Sequence, residues 1–333
     1  MPQPTFSEYL EVLRTLFTRC QQAHADKPCR GAPYTYSQVS LILLFAVMTV
    51  RHKYGAKAQR QWLVTHPEAC VQFGLPGVPS RWTLRRRWQQ MYTTVQAFVV
   101  FLGQWARDLD PDCDGTDQCI DKSLWKAAGP VWHQSDREVG RMPEGLRTLD
   151  TEATWSKSTY HGWVYGDGGH WITTRGAFPL AVEVEPASVS EATSIDRQAD
   201  AIWDDAPPTM TGDNSSCNLH RVRTWARQGV VLITSALTVT TDSPQGGPSK
   251  AYVAQPENQG LLQTRGTATE PLFHLIAQLI GTGDMQKQLP LQGLANVRTC
   301  LALGTVLAHL AMIVNSSWGL PLHEISHMMA TFT

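Results

Sequence analysis

The order of short β-prone runs and helical stretches after residue 117 constrains this chain more than any other feature. Asp117-Gln-Cys-Ile-Asp121 reads as a first strand, and residues 162–165 and 170–174 flank Gly166-Asp-Gly-Gly169 as a predicted hairpin. Pro179-Leu-Ala-Val-Glu-Val-Glu185 alternates as the next strand. Residues 192–203 suit a helix, Thr209-Met-Thr-Gly-Asp213 a fourth strand, residues 219–228 a helix, and Val230-Val-Leu-Ile-Thr234 a fifth strand. Three strands in a row, then helix and strand in turn, predict an α/β fold with a mixed sheet and flanking helices. Residues 291–315 form a last, apolar helix.

The chain before this point has a helical texture. Thr5-Phe-Ser-Glu8 is a capping box, and Phe6, Tyr9, Leu10, Leu13, Leu16 and Phe17 recur at helical spacing. Thr35-Tyr-Ser-Gln38 opens a second helix that is apolar on nearly every face. After the turn-forming run Gly74-Leu-Pro-Gly-Val-Pro-Ser80, Arg81-Trp-Thr-Leu-Arg-Arg-Arg-Trp88 starts a long helix. Its Leu84, Trp88, Met91, Val95, Phe98, Leu102 and Trp105 fall on one stripe of a single predicted helix. A short turn leading into a helix with arginines at its start is the layout of a helix-turn-helix, with Arg81, Arg85, Arg86 and Arg87 as the DNA contacts. Residues 108–115, with four acids, a proline and a glycine, read as a linker. The expected division is an all-α region over 1–110 and an α/β domain over 111–333, with a Pro-, Gly-, Gln- and Ser-rich loop inserted at 236–264.

Charge follows the same division. Residues 1–110 carry 13 Lys and Arg against 6 Asp and Glu, whereas the remainder carries 15 against 23. The first part suits a polyanion and the second suits bound cations. Hydrophobic content of 42% with 17% charged residues excludes wholesale disorder. Seven cysteines without a C-x-x-C give neither a zinc knuckle nor a disulfide framework. The apolar runs at 39–50 and 301–314 fall short of the roughly 20 residues that a membrane span needs, and no secretory signal is visible. The expected location is the cytoplasm, in association with the nucleoid.

Three carboxylates stand where strands end or a helix begins: Asp121, Asp213 after Gly212, and Glu270 with Pro271 in the first helical turn. Oxygen ligands of this kind with open positions suit hard divalent cations, and a pair of such ions supports phosphodiester chemistry. Glu257 and Asp284 are rivals for the third place. Glu183 and Glu185, two apart on a strand, are expected on a solvent-facing side. Arg265 reads equally as a contact to the scissile phosphate and as half of an ion pair across the loop. Arg221, Arg223 and Arg227 form a phosphate track or a solvated helix face. His161 and His170 read as packed or surface residues, and Trp125 stands where an unpaired base would reach.

Ile120-Asp-Lys-Ser123, Tyr160-His-Gly-Trp163, Gly176-Ala-Phe-Pro-Leu-Ala181, Glu185-Pro-Ala-Ser-Val-Ser-Glu191, Thr211-Gly-Asp-Asn-Ser215, the stretch 265–273 and Gly293-Leu-Ala-Asn-Val-Arg298 occur in one order along about two thirds of the chain. In that order they resemble the motifs of DDE-type insertion-sequence transposases. The resemblance implies a ribonuclease H-like catalytic domain in which the first and fourth strands are adjacent, so that Asp121 and Asp213 meet and Glu270 joins them from a helix. It further implies two Mg²⁺ or Mn²⁺ ions per site, cleavage of double-stranded DNA at transposon terminal repeats, strand transfer to target DNA, and action as a homodimer on DNA. The chain departs from several branches of the family: Leu262 stands near a Tyr position, and no Lys follows Glu270 before Lys287. Two other readings stay open, a non-catalytic DNA-binding protein derived from a transposase and a metal-dependent nuclease without strand transfer.

Overall fold

The computed structural model describes residues 3–24, 35–109, 117–146, 148–158, 162–202, 209–234, 254–283 and 287–333. Helix α1 (Phe6–Ala23) starts at the expected capping box: the Glu8 amide donates to the Thr5 hydroxyl at 3.3 Å, and the Thr5 amide donates to the Glu8 carboxylate at 2.6 Å. Helix α2 (Gln38–Val50) is buried from Ser40 onward, as a helix apolar on every face must be. Then come α3 (Ala56–Thr65), α4 (Pro67–Phe73) and α5 (Arg81–Gln90). Pro67 sits in the first turn of α4, where its missing N–H leaves no bond unmade, and Gly74 ends that helix in the left-handed conformation.

The single helix expected over 81–105 is interrupted. The Met91 amide bonds the Trp88 carbonyl three residues back at 3.1 Å, which tightens the turn and separates α5 from α6 (Tyr92–Gly103). Met91 keeps right-handed torsions, so the stripe from Leu84 to Leu102 stays buried across the break. A short α7 (Ala106–Leu109) follows.

Six strands, β1 (Asp117–Lys126), β2 (Thr154–Ser158), β3 (Gly162–Thr173), β4 (Pro179–Pro186), β5 (Thr209–Thr211) and β6 (Val231–Ile233), make one mixed sheet. The order is β2-β3-β1-β5-β6, and β4 pairs the half of β3 that β2 leaves open. β1 runs antiparallel to β3 and parallel to β5, which is parallel to β6. The expected hairpin at Gly166-Asp-Gly-Gly169 is instead the middle of β3. None of its three glycines has a positive φ; they are glycines because neighbours cross them. A Cβ on Gly168 would lie 2.6 Å from the Lys122 side chain, and one on Gly169 would strike the Trp171 ring.

Helices α8 (Gln134–Glu138), α9 (Glu191–Ile202), α10 (Leu219–Arg227), α11 (Pro256–Leu279), α12 (Leu294–Trp318) and α13 (Ser326–Phe332) complete the chain. α11 overturns two expectations. Residues 256–264 are helix rather than loop, while residues 236–253 of the expected insertion lie outside the described residues. Pro271 is inside the helix, not in its first turn. Burial of Ala268 and Thr269 before it and of Leu272, Phe273 and Ile276 after it holds the helix together across a residue that removes a main-chain hydrogen bond.

α12 is long and apolar enough to cross a membrane, but 89% of its most apolar window is buried inside the protein. It packs against α1, α2, α5, α6, α11 and β4. Gly304 admits α11 closely: a Cβ there would lie 3.0 Å from Ile280 and 3.1 Å from Ile276. One apolar core therefore runs through helices of residues 6–109 and the sheet-bearing remainder. Glu183 and Glu185, expected to face solvent, are buried beneath α9 and α12 and satisfied there. Arg197 bridges them at 3.1 and 3.2 Å, Arg298 pairs with Glu185 at 2.6 Å, and the Ser194 hydroxyl donates to Glu183.

Candidate active site

Asp117 fixes the register that builds the site. Its buried carboxylate accepts the Thr209 hydroxyl at 2.8 Å and the Thr211 hydroxyl at 3.0 Å, tying β5 to β1. With Cys119 opposite Thr211 in parallel strands, Asp121 two residues on and Asp213 two residues on emerge at the same end of the pair. Asp121 is not the last residue of its strand, because β1 continues to Lys126 along β3. Asp213 follows β5 and caps a 3-10 turn at Asn214–Ser216.

Glu270 lies at an exposed position in the second half of α11. Asp121, Asp213 and Glu270 all line one cavity of about 1470 Å³. Glu191, at the start of α9, lines it as well and was not singled out from the sequence. In the sequence it closes the Glu185-Pro-Ala-Ser-Val-Ser-Glu191 motif, which gives it no role of its own. Lys122 sets its position: its half-buried ammonium group donates at 2.8 Å to each of the Ala187 and Val189 carbonyls in the turn that leads to Glu191.

The acids crowd one another. Burial, then the hydrogen bond and charge of Asp213, then the charge of Asp121, push the Glu191 carboxyl up to about 8. Burial acts upward on Asp213 too, but hydrogen bonds from Glu191 and Ser215 and the charge of Arg265 outweigh it and leave this group below the ordinary carboxylate range. The two shifts run in opposite senses, as in two carboxyls competing for one proton. The Ser215 hydroxyl stands 2.7 Å from Asp213 Oδ1 and 2.8 Å from Glu191 Oε2, able to donate to one at a time.

Asp121 faces a different set. Arg265 Nη1 lies 2.9 Å from its Oδ1, and the Thr269 hydroxyl donates to its Oδ2 at 2.8 Å. The ion-pair reading of Arg265 is therefore realised, inside the cavity and against a candidate ligand. Lys287 supplies a second cation to the cavity wall, donating to the Ser123 hydroxyl at 2.8 Å. Carboxylate oxygens around a shared proton are the chemistry that a hard divalent cation replaces. Among the described residues, however, no three His, Cys, Asp or Glu side chains stand close enough to form a ligand set as positioned.

Several expected contacts are placed elsewhere. Arg81, Arg85 and Arg86 are exposed on α5 beside Trp82, but Arg87 is buried and reaches the Tyr36 carbonyl at 3.4 Å. Arg221 is 4% exposed and bonds Asp196, Ala192 and Ser216, joining α9 to α10 rather than meeting DNA. A helix position two residues from exposed Arg223 lies on a different face, which is why the run of arginines divides. Trp125 is fully buried and beyond the reach of a base, and His170 is packed within the sheet. Glu257 is exposed at the start of α11, outside the cavity lining; His161 and Asp284 lie outside the described residues. No known protein family, curated protein or solved structure matches the chain.

Proposed function

We propose that the protein is a DDE-type DNA transposase that cleaves double-stranded DNA at transposon ends and transfers the freed strand to a target. One observation carries this reading: Asp121, Asp213 and Glu270, 92 and 57 positions apart in turn, line a single cavity together with Arg265. The sheet is compatible with it, since β1 and β5 are neighbours, as the resemblance implies for the strands that carry Asp121 and Asp213. Asp121, Asp213 and Glu270, with Glu191 beside them, are the groups that would hold Mg²⁺ or Mn²⁺. Such ions, when bound, supply activation of an oxygen nucleophile and neutralisation of charge on the reacting phosphate.

The remaining roles fall to the chain itself. Arg265, which lies against Asp121 on the cavity wall, would hold a phosphate oxygen, and Lys287 offers a second positive group on the same wall. Arg81, Arg85 and Arg86 on α5 grip the duplex, and a homodimer would present two such sites to two ends. The test is nicking and joining of duplex DNA taken from the two sides of the reading frame, where the proposal expects inverted repeats. Asp121→Asn, Asp213→Asn and Glu270→Gln are each expected to abolish product while leaving duplex binding intact; full activity in any one removes that residue from the site. The contact of Arg265 with Asp121 also favours a second reading, a DNA-binding protein without catalysis. It predicts binding that is indifferent to divalent metal and yields no cleavage product.

A further inference from the structure

Helix α11 turns two donors toward one carboxylate of the cavity. Arg265 and Thr269 stand four residues apart, on one face of the helix, and reach different oxygens of Asp121. Arg265 Nη1 lies 2.9 Å from Oδ1, and the buried Thr269 hydroxyl donates to Oδ2 at 2.8 Å. The Lys122 amide adds a third contact, donating to Oδ1 at 2.9 Å. Both oxygens that Asp121 could offer a cation are thus engaged by the chain itself, which agrees with the lack of a ligand set among the described residues.

Arg265 also answers the other acids. Burial acts downward on its guanidinium, but the charges of Asp121, Asp213 and Glu191 outweigh that and raise it above the usual arginine value. Its own charge in turn helps to keep Asp213 low. One positive group therefore sits where several carboxylates need a counter-charge, and a guanidinium suits the place: planar, always charged and weakly hydrated.

From this we infer that Arg265 is a resident counter-cation that competes with a divalent ion for Asp121, so that a residue which is no ligand sets the affinity of the site for metal. The inference rests on the reading of Asp121 as a group that holds Mg²⁺ or Mn²⁺. A second cation at Oδ1 would face the guanidinium at close range, where like charges in a partly dewatered cleft repel by much more than thermal energy.

The experiment is titration of the full chain with Mn²⁺ at fixed pH and ionic strength, the free ion being read by electron paramagnetic resonance. Arg265→Gln is expected to bind Mn²⁺ at least about tenfold more tightly than wild type, and Arg265→Lys, which keeps the charge, to stay close to wild type. Adding Asp121→Asn to Arg265→Gln should take the gain away. Thr269→Val frees the other oxygen without removing a charge and should tighten binding by a smaller factor; it decides the matter if the melting curve shows that Arg265→Gln does not fold. Binding no tighter than wild type in the deciding variant overturns the inference, as does a gain that survives Asp121→Asn or is equally large in Arg265→Lys. The transposase reading fails separately, through Mn²⁺ binding that responds to Arg265 as expected in a protein that never cuts its duplex substrate.

Discussion

Replacing Asp167 by Asn should make the protein more stable, and only above acidic pH. Asp167 lies in the middle of β3, is 1% exposed, and neither of its carboxylate oxygens has a hydrogen-bond partner among the described residues. Burial, then the negative charges of Asp150 and Glu152, push its carboxyl up to about 7, against the single opposing charge of Arg298. The folded-state value is thus raised above the unfolded one, near 3.8. A carboxyl shifted in this direction binds its proton more tightly in the folded state, so it is harmless below the unfolded value. Its stability contribution is then lost progressively as pH rises to about 7, beyond which the loss is constant. A shift of about three units corresponds to roughly 4 kcal/mol at the plateau, an upper bound, at about 1.4 kcal/mol per unit.

Asn is neutral throughout and isosteric, so it removes that dependence. Urea unfolding of both proteins, followed by tryptophan fluorescence at pH 4.5 and pH 8, should show the gain for Asp167→Asn larger at the higher pH by about 3 kcal/mol. A difference between the two proteins that does not change with pH would show that Asp167 is ionised and satisfied in the fold, and the reasoning fails.

Three other outcomes are expected. Gly304→Val places a branched side chain against Ile276 and Ile280, parts α11 from α12, and should lower stability by about 1–3 kcal/mol in thermal or urea unfolding. Arg221→Ala strips the bonds that join α9 to α10 and should cost about 2–3 kcal/mol, discounted because Asp196 is half exposed, with no change in the salt dependence of duplex binding. Arg85→Ala should do the reverse, leaving the melting curve alone and reducing the slope of log affinity against log salt by about 0.9 if it contacts one phosphate.

Much of the sheet was legible because alternation and strand-ending glycines are local signals: the runs at Asp117, Pro179, Thr209 and Val230 all became strands. The bringing together of Asp121 and Asp213 came from an expected pairing of strands and was met by the Asp117 ties to Thr209 and Thr211. What local patterns missed was decided by distant parts of the chain. Gly166 and Gly168 look like parts of a turn until Trp125 and Lys122 of another strand are laid across them. Pro271 looks like a helix start until the burial of its neighbours on both sides is known. Glu183 and Glu185 read as an outward face because the cations that neutralise them, Arg197 and Arg298, come from helices that the strand itself does not reveal. Glu191 escaped notice for a related reason: nothing near it in sequence shows that Lys122 draws its turn toward Asp121.

The unbroken apolar interior has a geometric corollary for any duplex held on α5. Because Leu84 and Trp88 are seated in the same interior as α12, and α12 clamps the helix that carries Glu270, the outer arginines and the acid-lined opening cannot swing past each other on a hinge. On the proposed function the molecule would act as a fixed gauge, and the number of base pairs between the place it grips and the place it cuts would be a constant of the folded chain.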